Sequence, residues 1–250
     1  MNKHPSRDAG PNSGWPTPFP QLLMAAMACW TTFACTAILM VTGYTARVDA
    51  WSVLAFRDAP ELTLSGPEWW SVAIRDMTAL GGFPVRNLLA IMVIAILLTL
   101  RRQRQVLVLL TAIVSGMLLE YWLKECFGRP RPAIVPHLMP IKGNSFPSGH
   151  VFNGSVVYIS IALAFAGMSW KTATRLIIMG AAIVACILIG LTRVALGVHF
   201  LTDAAAGLVG GAGWALLVYA LLSSSPRNPQ ATERTTYSMT LFRSIKTSYY

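Results

Sequence analysis

The sequence predicts an all-α fold, a polytopic membrane bundle of six transmembrane helices. Three observations carry that expectation. The 250 residues are 54% hydrophobic and only 12% charged, about half of the ~25% charged share of a soluble domain. Apolar runs near ~20 residues, the length that crosses a bilayer core, recur along the chain. Basic residues collect in alternate connections between those runs, as the positive-inside rule requires of a threaded chain.

The first twenty residues are polar, contain Pro5, Pro11, Pro16, Pro18 and Pro20, and lack an apolar h-region. They do not read as a cleaved signal peptide, so the first span, Leu22 to Thr42, is expected to act as an uncleaved anchor. The second span, Pro84 to Leu100, is shorter and carries Arg86 near one end, which fits if that side chain snorkels to the interface. Val106 to Leu123, Val151 to Met168, Leu176 to Leu191 and Ala204 to Leu222 complete the six. This divides the chain into a polar cytoplasmic tail (1–20), a membrane domain (21–222) and a second cytoplasmic tail (223–250). The last is rich in Ser, Thr and basic residues and is expected to be disordered.

Orientation follows from the loops. "RRQRQ", 101–105, and "SWKTATR", 169–175, contain bases and no acid, which assigns them, and both termini, to the cytoplasm. In the opposite-facing segment 43–83, Asp49, Asp58, Glu61, Glu68 and Asp76 outnumber Arg47, Arg57 and Arg75. Within it, Trp70, Ala73, Met77 and Leu80 repeat at helical spacing opposite Glu68, Arg75 and Asp76, the pattern of a helix lying in the interface. The net charge of +10 is scattered through loops instead of forming one stripe, so topology explains it and no nucleic-acid partner is expected. Cys29, Cys35, Cys126 and Cys186 show no C-x-x-C spacing and read as packing residues.

Three polar clusters fall on the outward side. In "LKECFGRPRP", Lys124 ends the third span, Gly128 permits a turn, and Pro130 and Pro132 forbid a continuing helix. Lys124 and Arg131 can then aim at one anion. Taken alone, Lys124, Arg129 and Arg131 could equally be interfacial anchors, and Glu120 lies one turn before Lys124, at pairing distance. In "SFPSGH", Pro147 suits the first position of a helix, so that Ser148, Gly149 and His150 offer N–H groups and the positive dipole end to an anion. His150 has the pKa range of a proton donor. In "LTRVALGVHFLTD", His199 and Asp203 are four apart, placing the carboxylate where it can accept the imidazole Nδ1–H and leave Nε2 free as a nucleophile. Arg193 can bind an oxyanion, although an Arg193–Asp203 pair closing two helices would be the plainer reading of those two residues.

Together these residues closely resemble the type 2 phosphatidic acid phosphatase superfamily of membrane lipid phosphatases. That family's pattern is K-x6-RP, PSGH and SR-x5-H-x3-D. Here it reads Lys124 to Arg131-Pro132, then Pro147-Ser148-Gly149-His150, then Thr192-Arg193 to His199 to Asp203, with ten positions matching in order. Thr192 replaces the usual serine, and at most a modest change in the support of Arg193 or the phosphate is expected.

The resemblance implies that His199 attacks phosphorus, Asp203 orients it and His150 protonates the leaving group. It further implies that Lys124, Arg131, Arg193, Ser148 and the Gly149 backbone hold the phosphate, with no metal and no cofactor. The expected setting is the plasma (inner) membrane of a bacterium, with the active site at the outer membrane–water interface, facing the periplasm or exterior. Undecaprenyl pyrophosphate is the first expected substrate, with phosphatidylglycerol phosphate, phosphatidic acid and lipid A 1-phosphate as rivals. A lipid phosphotransferase and a non-catalytic phospholipid binding or transport protein are the other readings. The partners expected are the lipid substrate and membrane lipids, and nothing in the sequence sets an oligomeric state.

Overall fold

A computed structural model describes residues 19–169 and 171–223. The two tails expected from the sequence lie almost wholly outside the described residues. Ten elements follow in order: α1 (Phe19–Val41), α2 (Ala46–Leu54), β1 (Arg57–Asp58), β2 (Thr63–Leu64), α3 (Glu68–Ala79), α4 (Phe83–Thr99), α5 (Gln103–Phe127), α6 (Gly149–Ala166), α7 (Thr172–Ala195) and α8 (Leu201–Ser223).

Five of these helices, α1, α5, α6, α7 and α8, are long and apolar enough to cross a membrane, and each covers one of the runs read from the sequence. The bent pair α3 and α4, joined at 48°, passes the same test of length and composition together and makes six where the two form one span. The protein is an integral membrane helix bundle. Its outer faces carry large apolar side chains exposed to the surroundings, such as Met24, Leu118 and Ile177, a state that suits hydrocarbon and not water.

Helix α6 is the hub, packed against α5, α7 and α8. Close approach depends on glycine, as in many membrane interfaces. A Cβ on Gly211 would collide with the Phe152 carbonyl, and one on Gly210 would come within 2.9 Å of both Phe152 and Phe33. An aromatic cluster of Phe33, Phe127 and Phe146 fills the space between α1 and the ends of α5 and α6. The alternation of direction brings the C-termini of α5 and α7 and the N-termini of α6 and α8 to one end of the bundle, where α2, the β1–β2 hairpin and α3 also lie.

Two local expectations are corrected, and the inner face of α3 is resolved. Pro147 is not the first helical residue: α6 begins at Gly149 with Ser148 as its N-cap, after a cis Phe146–Pro147 bond. Arg86 does not snorkel outward but is 4% exposed, reaching weakly toward the Gly81 carbonyl at 3.5 Å. The buried face of α3 is centred on Ile74 and Thr78, while Trp70 and Leu80 are partly exposed. Hydrophobic spacing could not select Thr78, because its place on the inner face is polar: its hydroxyl accepts from Arg193 Nη1 at 3.3 Å.

Candidate active site

All eight candidate residues meet at this end, each placed by a helix terminus. Helix α5 closes on Gly128 in the left-handed conformation (φ 55°), with Gly128 N–H donating to the Lys124 carbonyl at 3.0 Å. The turn sends the chain back, and Lys124 Nζ and Arg131 both bind the loop it forms. Lys124 donates to Asn144 O at 2.8 Å. Arg131 donates to the carbonyls of Gly143, Lys142 and Asn144. Glu120 stands 3.5 Å from Lys124 Nζ, the pairing its spacing predicted.

Arg131 also reaches the third cluster. Its Nη1 donates to Val198 O at 2.8 Å and lies 3.1 Å from His199 Nε2. A guanidinium has no acceptor, so Nε2 must be the acceptor and the ring proton sits on Nδ1. Nδ1 faces Ser145 Oγ at 3.3 Å and Asp203 Oδ2 at 3.5 Å. Ser145 in turn donates to Asp203 Oδ2 at 2.5 Å. The imidazole is therefore held with the lone pair of Nε2 directed at the cations, and the Asp203 contact expected from the i, i+4 spacing is shared with a bridging serine.

His199 is 1% exposed. Burial pushes its imidazole down to about 4, against the opposing pull of Asp203. The neutral ring thus contributes stability that is complete above about 6.5 and lost as the pH falls through about 4. In an NMR titration of 13C-labelled histidine, His199 should stay neutral down to about pH 4. A midpoint at the ordinary ~6.5 would contradict the buried, Nδ1-protonated assignment.

Asp203 is anchored on every side. Phe200 N–H donates to its Oδ2 at 2.9 Å, and Arg129 Nη1 donates to its Oδ1 at 2.5 Å. The same guanidinium, stacked on the Phe200 ring, donates from Nη2 to Asp49 Oδ2 at 2.6 Å. Asp49, on α2, also accepts from the Thr202 backbone and hydroxyl. Arg129 is therefore no interfacial anchor: it bridges two buried carboxylates. Arg129, Asp49 and Ser145 were not singled out by sequence reasoning. The i, i+4 pattern exposes Asp203 because it is local, whereas Asp49 meets Arg129 across 80 residues.

Arg193, at the end of α7, is fully buried. Nη1 contacts Thr78 Oγ1 and Met139 Sδ, while Nε and Nη2 have no partner. Ser148 N–H donates to Asp203 O at 3.0 Å, tying the α6 N-terminus to α8, and its buried hydroxyl is unpartnered. The first N–H groups of α6 lack intrahelical acceptors by construction. A Cβ on Gly149 would sit 2.5 Å from Glu120 Oε1, the movable end of a side chain. His150 follows directly, packed under Gly81 and within the fields of Arg193, His199, Arg86 and Lys124. The Thr192 hydroxyl donates to its own helix at Ile189 O, so it supports neither Arg193 nor a ligand.

Three cations, a helix N-terminus and two imidazoles lie together at the mouth of a lipid-facing bundle, an arrangement suited to binding a phosphate. The chain belongs to the PAP2 superfamily, whose family model matches residues 105–227, and it is a membrane lipid phosphatase. Phosphatidylglycerophosphatase B of Bacillus subtilis (strain 168) is 31% identical over 155 residues, 62% of this chain and 74% of that protein. The crystal structure of a transmembrane PAP2-type phosphatidylglycerolphosphate phosphatase from Bacillus subtilis superposes with a TM-score of 0.71 at 26% identity, covering 81% of this chain and 98% of that one. The structure of Aquifex aeolicus LpxE shares the fold, with a TM-score of 0.54 at 24% identity over 68% of this chain and 94% of its own.

Proposed function

We propose that the protein hydrolyses an outward-facing lipid phosphate without metal, through a phosphohistidine on His199, and that phosphatidylglycerol phosphate is its principal substrate. The observation that carries the chemistry is the oriented Nε2 of His199 beside Arg131, with Ser145 and Asp203 behind Nδ1.

In the first step Arg131 Nη1 shifts from Nε2 to a phosphoryl oxygen, and the Nε2 lone pair attacks phosphorus. The P–O bond to the lipid breaks, and His150 gives its proton to the departing oxygen. Arg193 Nε and Nη2, Lys124, Ser148 Oγ and the α6 N-terminus bind the equatorial oxygens, where charge is stabilised most effectively by donors already in place. Asp203 and Ser145 hold the Nδ1 proton and support the cationic ring. In the second step His150, now neutral, takes a proton from water. The hydroxide attacks phosphorus, the N–P bond breaks and orthophosphate leaves.

Metal independence is supported by how the carboxylates are used: Asp203 and Asp49 share Arg129, and Glu120 pairs with Lys124. Lipid specificity is supported by an apolar groove of about 470 Å³ along α1, lined by Trp30, Phe33, Ala37, Ile38 and Phe127. It ends two residues before Arg129, so a hydrocarbon chain can lie in it while the headgroup stays at the polar end. Phosphatidylglycerol phosphate comes first because both Bacillus subtilis relatives are named as phosphatases of it. Undecaprenyl pyrophosphate, the first expectation from the sequence, has no such support and stands second. Outward exposure of the site is supported by the bases in the opposite loops, Arg101, Arg102, Arg104, Lys171 and Arg175.

The test is phosphate release by purified protein in detergent with excess EDTA, on phosphatidylglycerol phosphate, undecaprenyl pyrophosphate, phosphatidic acid and a lipid A 1-phosphate. Release should persist in EDTA, be fastest on phosphatidylglycerol phosphate and disappear in His199→Ala. Transfer of the phosphate to an acceptor lipid instead of water would make the protein a phosphotransferase. No release from any substrate would overturn the reading.

A further inference from the structure

Arg57 lies outside every residue assigned so far. Its place is fixed by the β1–β2 hairpin, where Arg57 pairs with Leu64. Strand alternation turns Arg57 inward and Asp58 outward. Arg57 is 8% exposed, and its Nε, Nη1 and Nη2 are all buried with no hydrogen-bond partner. Among the described residues no other charged side chain has every polar atom in that state. A guanidinium carries five N–H donors and remains charged, so burying it with none satisfied is costly unless an anion is to be bound.

The head group abuts the catalytic turn. Gly197 adopts φ +73°, and a Cβ there would lie 2.7 Å from Arg57 Nη2. On the next residue, the Val198 carbonyl accepts from Arg131, and on the one after that Arg131 faces His199 Nε2. Three consecutive residues thus bring together Arg57, a phosphate-binding cation and the nucleophile.

Charge balance points the same way. At this end of the bundle Arg57, Arg86, Lys124, Arg129, Arg131 and Arg193 are buried or half-buried, as are Asp49, Glu120 and Asp203; the other Lys, Arg, Asp and Glu side chains described there are exposed. Six cations against three carboxylates leave three positive charges. A phosphate monoester brings about −1.5 to −2, so one more anionic group fits.

Resting on the phosphatase reading above, we propose that Arg57 is a second anion subsite. It takes the further phosphate, a phosphodiester or the inner phosphate of a diphosphate, of a lipid whose terminal phosphoryl group reacts at His199. Lipids with two phosphates are then preferred over a simple monoester such as phosphatidic acid.

The experiment compares wild type, Arg57→Gln and Arg57→Lys, as full chains in detergent, on phosphatidic acid, phosphatidylglycerol phosphate and undecaprenyl pyrophosphate. Arg57→Gln should lower kcat/KM on at least one two-phosphate lipid about 10- to 100-fold, the worth of a charge-assisted hydrogen bond, and leave phosphatidic acid nearly unchanged. Which lipid suffers distinguishes a phosphodiester from a diphosphate ligand. Arg57→Lys should restore part of the loss. Equal losses on all three lipids, or none on any, would overturn the subsite. Independently of folding in the variants, inorganic pyrophosphate should bind wild type more tightly than orthophosphate, and equal affinity would overturn it too. If wild type released phosphate from no lipid yet bound pyrophosphate preferentially, the phosphatase reading would fail and the subsite would stand.

Discussion

Arg129→Met should unfold the protein more easily and slow it at the same time. The substitution keeps most of the volume packed on Phe200 and removes the charge that neutralises both Asp49 and Asp203. Those carboxylates are 1% and 0% exposed, so each is left without its counter-charge. Breaking a buried pair from one side costs about 3–5 kcal/mol, and a fall in thermal stability in detergent should register it. Turnover should drop by about 10- to 100-fold, the usual order for removing a group that orients a functional histidine through its partner. The decisive detail is KM, which should change little, because Arg129 is engaged by the two carboxylates and is not needed to bind phosphate. A stability near wild type would show that the bridge is not needed to hold α2 against α8.

Arg193→Met has the opposite sign on stability. Arg193 is also fully buried, but its Nε and Nη2 have no partner and Nη1 reaches only Thr78 Oγ1 and Met139 Sδ. Replacing such a charge by an apolar side chain of similar length should stabilise the fold, by about 1–4 kcal/mol if it follows buried ionic groups elsewhere. Activity should fall by about 10²–10³, as when one preorganised donor to a transition-state oxyanion is lost. A variant that melts higher and hydrolyses less would identify Arg193 as a group retained for chemistry at the expense of stability. Lower stability would mean that Arg193 serves the packing of α3 on α7.

The pair of arginines shows what the sequence could and could not reveal. The spans were legible because hydropathy over about 20 residues is a strong signal. Their order placed the outer ends of α5, α6, α7 and α8 together. Lys124, Arg131, His150, Arg193, His199 and Asp203 were legible because local spacing put each at a helix end on that side. Arg129 sat within the same stretch, and its role was hidden because its partners come from α2 and α8. Helix α2 itself, nine residues with one buried acid, gives no span signal. Ser145 was hidden because a hydroxyl that both donates to Asp203 and faces His199 Nδ1 looks in sequence like any loop serine. Gly149 marks a close approach in the sequence without saying what approaches, and the Glu120 carboxylate is one neighbour that only the fold reveals. Arg57 appeared only as one of several outer-loop bases until the hairpin turned it inward.

The proposed hydrolysis requires His199 to form a covalent bond to phosphorus. Purified protein would be mixed for a short time with phosphatidylglycerol phosphate carrying 32P in the terminal phosphate, quenched in alkaline detergent, and separated by electrophoresis. Label retained in alkali, lost in mild acid, present in wild type and absent in His199→Ala is the predicted result. Steady phosphate release with no trappable label in wild type, together with hydrolysis that survives His199→Ala, would contradict it.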